Sequence, residues 1–136
     1  QRLVRALCSH CATPHRLGPG QFDRLLAEYI DRSSLTPAEG QRRLLAAAGI
    51  ESPEQILVHT ATGCEKCSGK GYKGRMGIYE IFENNPAIRE LIQRHARPSE
   101  LFEAAIASGM RSLRHDALEK LVQGKIDVRQ ARVAYI

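Results

Sequence analysis

The sequence predicts an α+β chain that is predominantly helical, with one short antiparallel strand pair and a tetracysteine zinc-binding subdomain. Three observations carry that prediction. All four cysteines of the 136 residues fall into two C-x-x-C pairs, Cys8/Cys11 and Cys64/Cys67. Short alternating apolar stretches lie beside those pairs, at residues 1–7 and about 75–82. Helical periodicity with capping signals fills most of the remainder.

Residues 1–7 alternate as a strand, with Leu3, Arg5 and Leu7 on one face. After Cys11, the stretch ATPHRLGPG reads as a loop, because its prolines and glycines break regular structure. From Gln21 the period changes: Phe22, Leu25, Leu26, Tyr29 and Ile30 share one helical face. A second helix starts at Thr36, where TPAE offers an N-cap, Pro37 at the first helical position and Glu39 reaching back. Leu44, Leu45 and Ala48 face inward, and Gly49 stops that helix. Residues 51–62 read as a loop leading into a short extended piece. Residues 12–63 therefore form a mostly helical insertion between the two cysteine pairs.

MGIYEIF then alternates as the second strand, over about residues 75–82. Four helices follow. Asn85 and Pro86 open the first, Ser99 opens the second, which stops at Gly109, and residues 112–123 form the third, ending at Gly124. Asp127 with Gln130 caps the last. The expected organisation has two parts. Residues 1–82 make a tetracysteine zinc-binding subdomain, its helical insertion (about 16–50) closed by the flanking strands; residues 83–136 make a C-terminal helical subdomain. The opening QRLVRALC has neither Met nor a cap and reads as cut from something larger.

At 43% hydrophobic the chain can bury a core, and with no Trp and 5% aromatic residues that core must be aliphatic. No apolar run approaches the ~20 residues that cross a bilayer, and no charged-then-apolar leader is present. A cytoplasmic location without membrane insertion is the expectation. The formal charge of +5, from five Lys and fifteen Arg, raises the case for an anionic partner. Acids interleave those cations, among them Glu28, Asp31, Glu39, Glu80, Glu90, Glu100 and Glu119. The expectation is a solvated Arg-rich surface and no nucleic-acid partner.

Each C-x-x-C spacing lets two sulfurs meet one metal from the same side, and a second such pair completes a tetrahedron. Antiparallel strands at 1–7 and 75–82 would bring the pairs together. Cys8, Cys11, Cys64 and Cys67 are therefore the candidate ligands of one structural Zn2+. Three other readings compete. A disulfide framework suits a secreted domain without a large core. A redox pair needs its C-x-x-C at a helix start, whereas CSHC leads into a Pro/Gly loop. Unpaired thiols would not cluster in matched pairs. A catalytic zinc keeps an open position, whereas four thiolates close the shell; His10 and His15 read as surface loop residues, and no catalytic residue is expected. After Cys67, Gly69, Gly71, Gly74 and Gly77 let the backbone wrap the sulfurs, and Lys70, Lys73 and Arg75 can offset their charge. The spacing is not that of a G-x-x-x-x-G-K-[ST] phosphate loop.

The ordered set QRLVRxLC-x-x-C, GC-x-x-C-x-G-x-GYKGRxGIYE, IRELI and GMRSLRHDALEKLVQG resembles the C-terminal region of the secretion ATPases that power type II secretion and type IV pilus assembly. The resemblance covers nearly the whole chain, most loosely residues 12–62. It implies a zinc-binding subdomain attached to a RecA-like ATPase core, with Cys8, Cys11, Cys64 and Cys67 as ligands. It implies a parent that hydrolyses ATP with Mg2+ as a homohexamer. That parent would act at the cytoplasmic side of the inner membrane, through a platform protein and other secretion or pilus machinery. The Walker motifs are absent from these residues and would lie upstream, so the role expected here is structural, or one of docking through residues 16–50. Two alternatives stand beside this. CEKCSGKG also fits the C-x-x-C-x-G-x-G knuckle of DnaJ-type chaperones, which bind unfolded polypeptide, but CSHCATPH lacks its glycines. A zinc-stabilised nucleic-acid module lacks an aromatic platform and a clustered basic helix.

Overall fold

The computed structural model describes residues 1–136. Two two-stranded sheets and six helices follow in the order β1 (Arg2–Leu7), β2 (Thr13–Arg16), α1 (Gln21–Ile30), α2 (Pro37–Ala48), β3 (Leu57–Thr60), β4 (Tyr72–Ile78), α3 (Pro86–Gln93), α4 (Pro98–Ala107), α5 (Leu113–Val122) and α6 (Val128–Tyr135). The α+β, mostly helical class read from the sequence is the one observed.

β1 pairs with β4 in antiparallel fashion, from Arg2 opposite Ile78 to Leu7 opposite Tyr72, with a bulge between Arg5 and Leu7. The bulge splits the face expected from strict alternation. Val4 and Leu7 are buried, while Leu3 and Arg5 face solvent, because one extra residue on the β4 side shifts the pleat. β4 also sits about three residues earlier than its apolar pattern suggests. Past Ile78 the chain is taken up by α5: the Tyr79 N–H donates to the Asp116 carboxylate at 2.8 Å, and Glu80 accepts from the Leu113 N–H at 3.0 Å. With the ladder ended, Ile81 is left 73% exposed.

The second sheet was not expected. Thr13–Arg16, read as loop, pairs antiparallel with Leu57–Thr60. Pro14 is tolerated because a two-stranded ladder is all edge, and cross-strand polar contacts such as His15 Nε2 with Thr60 Oγ1 at 2.9 Å tie the pair. All four residues of β2 are exposed, so no burial alternation marks it in the sequence.

The helix starts follow their caps. Thr36 accepts from the Glu39 N–H while Glu39 reaches back to the Thr36 N–H, a reciprocal capping box. Asn85, Ser112 and Asp127 accept from the backbone of the third residue of α3, α5 and α6. The second tail helix starts one residue before Ser99, at Pro98, with Arg97 as its cap. One aliphatic core joins the strands (Val4, Ile78), the insertion (Leu25, Leu44, Ile56) and the tail (Leu118, Leu121, Ile126) around the central α5. No helix is long and apolar enough to cross a membrane.

His115, at the start of α5, is buried with its ring 4.6 Å from that of Tyr29. Burial, with the nearby Arg43, Arg111 and Arg114 guanidinium groups, holds its pKa down at about 4. Its folded pKa lies below the ordinary ~6.5, so the unfolded chain binds the extra proton first as pH falls. The stabilisation from keeping this ring neutral is complete above that ordinary value and is lost as pH drops towards about 4. The urea midpoint should fall across this window, and the fall should be visibly shallower in His115→Phe. Parallel profiles for the two proteins would refute the assignment.

Candidate metal centre

The β1–β4 pairing builds the site. Cys8 follows the last residue of β1, and its N–H donates to the Gly71 carbonyl at 3.0 Å. A tight turn returns the chain, with the Cys11 and Ala12 N–H groups on the Cys8 carbonyl at 3.2 and 2.9 Å. The second pair sits on a 3-10 turn, Glu65–Cys67, closed by the Cys67 and Gly69 N–H groups on the Cys64 carbonyl. Because Leu7 opposes Tyr72, the two turns meet at one end of the ribbon.

The four sulfurs all lie within 4.8 Å of one another. Cys8–Cys64, Cys11–Cys67 and Cys64–Cys67 are 3.9, 3.8 and 3.7 Å apart. These three separations lie near the ~3.8 Å edge of a tetrahedron with metal–sulfur bonds of ~2.3 Å, and the four thiols are close enough together to hold one metal ion. Sulfurs bonded to each other would sit at ~2.05 Å; all four cysteines are free thiols. Cys8 and Cys67 are buried, Cys11 and Cys64 partly so.

Backbone amides converge on the sulfurs. Gly63 N–H donates to Cys11 Sγ at 3.3 Å, and Cys64 and Gly71 N–H donate to Cys67 Sγ at 3.2 and 3.1 Å. Burial acts to raise both thiols, but at Cys67 the two amides and the neighbouring thiols outweigh it and bring the pKa down to about 6. At Cys11 burial and the neighbouring thiols push it up to about 11 against the Gly63 amide.

His10 and His15 lie outside the cluster, His15 engaged with Thr60. Lys70, Lys73 and Arg75 are exposed and form no ion pair. The glycine-rich run turns the chain around the sulfurs, with Gly69, Gly71 and Gly74 at positive φ. It also supplies an N–H donor to a sulfur, a role that the spacing of glycines around a C-x-x-C can suggest but not assign.

The family described as "Type II/IV secretion system protein" matches residues 1–133. The chain belongs to the type II/IV secretion system protein family. Family relatives include a "Type IV pilus assembly ATPase PilB" of Thermus thermophilus, 35% identical over 124 residues, which are 91% of this chain and 12% of that protein. The "Type II secretion system ATPase E" of Vibrio cholerae is 34% identical over 124 residues, 91% of this chain and 20% of its own length. A "Type IV pilus assembly ATPase PilB" of Pseudomonas aeruginosa is 32% identical over 124 residues, 91% and 18% respectively. This family member thus spans between 12% and 20% of the length of these relatives.

Proposed function

We propose that Cys8, Cys11, Cys64 and Cys67 hold one structural Zn2+ and that this chain is the zinc-binding and helical region of an ATPase driving type II secretion or type IV pilus assembly. The observation that carries the metal reading is the clustering of all four sulfurs within 4.8 Å of one another, with three separations of 3.7–3.9 Å near the ~3.8 Å edge of a zinc tetrathiolate. When bound, the ion supplies a rigid cross-link and no chemistry. The cysteine turns position it, and the amides of Gly63, Cys64 and Gly71 stabilise the Cys11 and Cys67 thiolates by hydrogen bonding.

ATP and Mg2+ would be handled by the rest of the parent protein, a cytoplasmic homohexamer held at the inner membrane by its platform protein and other machinery. This region's part would be structural or one of docking. We propose residues 1–82 as the zinc-binding part and 83–136 as the helical part, with α5 and α6 sharing their core with the insertion. Partner contact would use the exposed face of residues 16–50, where Arg24 and Arg42 are solvent-exposed and form no ion pair. Deleting the segment would remove Leu25, Tyr29, Leu44 and Leu45 from the core, so charge reversal is the better probe.

Metal analysis of the parent protein should find one zinc per chain, absent from Cys64→Ser, which should also lose secretion or piliation. The Arg24→Glu/Arg42→Glu variant should keep zinc and ATPase activity and lose transport. A zinc-free wild type would overturn the metal reading. Full transport by both variants would overturn the role in the machinery.

A further inference from the structure

The two glycines that bracket the second cysteine pair each fasten to the first pair. Gly63 donates its N–H to Cys11 Sγ at 3.3 Å. Gly71 accepts from the Cys8 N–H at 3.0 Å and donates its own N–H to Cys67 Sγ at 3.1 Å. Each glycine contributes only backbone atoms to these links, so they depend on its backbone conformation and on close approach.

At these two positions only glycine fits. Gly63 has φ +105°, and a Cβ there would lie 2.5 Å from the Gly69 carbonyl oxygen. Gly71 has φ +75°, and a Cβ there would lie 2.6 Å from Ala61 Cβ and 3.0 Å from Ala61 Cα. Neither obstacle is a flexible side-chain end, so any side chain must distort the loop that carries Cys64 and Cys67, and with it the bonds that loop makes to Cys8 and Cys11. Gly69 and Gly74 have φ +74° and +83°, but a Cβ on either meets nothing within 4 Å. The run therefore contains glycines needed for turning alone and glycines needed for turning and contact.

We infer that Gly63 and Gly71 are positioning residues for the metal, a backbone clasp that sets the two cysteine pairs at ligand spacing. The inference rests on the zinc reading above. Through the clasp, ligands separated by the whole insertion are aligned before an ion arrives. The ion then closes a preformed site, and the two amides stay on the sulfurs once it is bound. Such outer-shell contacts are typically worth roughly 10- to 100-fold in metal affinity.

The test uses Co2+ and Zn2+ with the 136-residue chain and a competing chelator. Gly71→Ala and Gly63→Ala should each bind roughly 10- to 100-fold more weakly than wild type. They should also shift the thiolate-to-cobalt absorption. Gly69→Ala and Gly74→Ala, which also place a side chain at positive φ, should shift neither by a comparable amount. Adding Ala61→Gly to Gly71→Ala removes the nearest obstructing atom and should recover part of the affinity.

A second readout needs no variant. In wild-type chain loaded with a spin-half cadmium isotope, the amide protons of Gly63 and Gly71 should be split by the metal across their hydrogen-bonded sulfurs. Metal uptake with neither amide coupled, or equal losses in all four glycine variants, would overturn the clasp and leave the zinc reading intact. No uptake of any metal would overturn both.

Discussion

Chelating the metal from the purified chain should lower its melting temperature on the order of 20 °C or more and collapse the cooperativity of its unfolding. Structural zinc contributes roughly 10–16 kcal/mol to folding in small zinc peptides, against ~5–15 kcal/mol for the whole net stability of an ordinary domain. The turns around the cysteines show why the metal matters locally. Residues 9–13 and 62–66 are exposed or half-buried and add no residue to the aliphatic core. Without the ion, these turns are held by the β1–β4 ladder, the short β2–β3 ladder that begins at Thr13 opposite Thr60, and the few backbone bonds between them. That ladder is already interrupted by the bulge next to Leu7.

Loss of metal therefore removes the far end of the ribbon first, while Leu44, Leu118 and Leu121 keep a residual core. A loss of ~5 kcal/mol from a domain of this size corresponds to roughly 20 °C. Cys64→Ser without chelator should melt like the stripped wild type and respond no further to chelation. Differential scanning calorimetry with metal analysis on the same samples decides it. Superimposable melts with and without bound metal would sink the proposed structural role.

The cysteine pairs, the helix caps and the apolar stripes were legible because each is a local pattern with a local cause. Thr36 and Glu39, Asn85, Ser112 and Asp127 do in the structure what their spacing in the chain requires of them. The site's grouping was legible too, since two C-x-x-C pairs beside two short strands leave few ways to close. What escaped depends on distant residues. The β2–β3 ladder is largely solvated and carries Pro14, so its only sign is the partner strand 45 residues away in sequence, as in Pro14 opposite His59. The early end of β4 is imposed by carboxylates of Asp116 and Glu80 acting at the start of α5. The separate duties of Gly63 and Gly71 rest on what lies within 4 Å of them, which no spacing encodes.

The joint between the insertion and the tail gives the second large effect: Glu119→Ala should cost about 2–4 kcal/mol, the loss of a buried acceptor plus part of an ion pair. Tyr29 on α1 is fully buried and donates its hydroxyl to Glu119 Oε1 at 2.8 Å, across 90 residues of sequence. Arg111 Nε reaches both carboxylate oxygens, at 2.9 and 3.0 Å. Burial, and then the Glu119 charge, hold the Tyr29 phenol in its protonated, donating form.

Removing the carboxylate strands that hydroxyl in an aliphatic core. The Arg111 side chain is 50% exposed and can turn to water, which keeps the penalty below that of a fully buried pair. Glu119→Gln keeps an acceptor for Tyr29 and should cost about half as much or less. The Tyr29→Phe/Glu119→Leu pair, apolar on both sides, should recover much of the loss, because hydrogen-bonding partners removed together leave nothing unpaired. Urea unfolding of wild type, Tyr29→Phe, Glu119→Leu and the double variant closes the cycle and measures the coupling. Additive losses, or a Glu119→Ala midpoint equal to that of wild type, would mean the contact does not join the two parts. A coupled loss would show that the insertion, anchored at one end by the cysteine turns, is anchored at the other by a buried polar joint to α5.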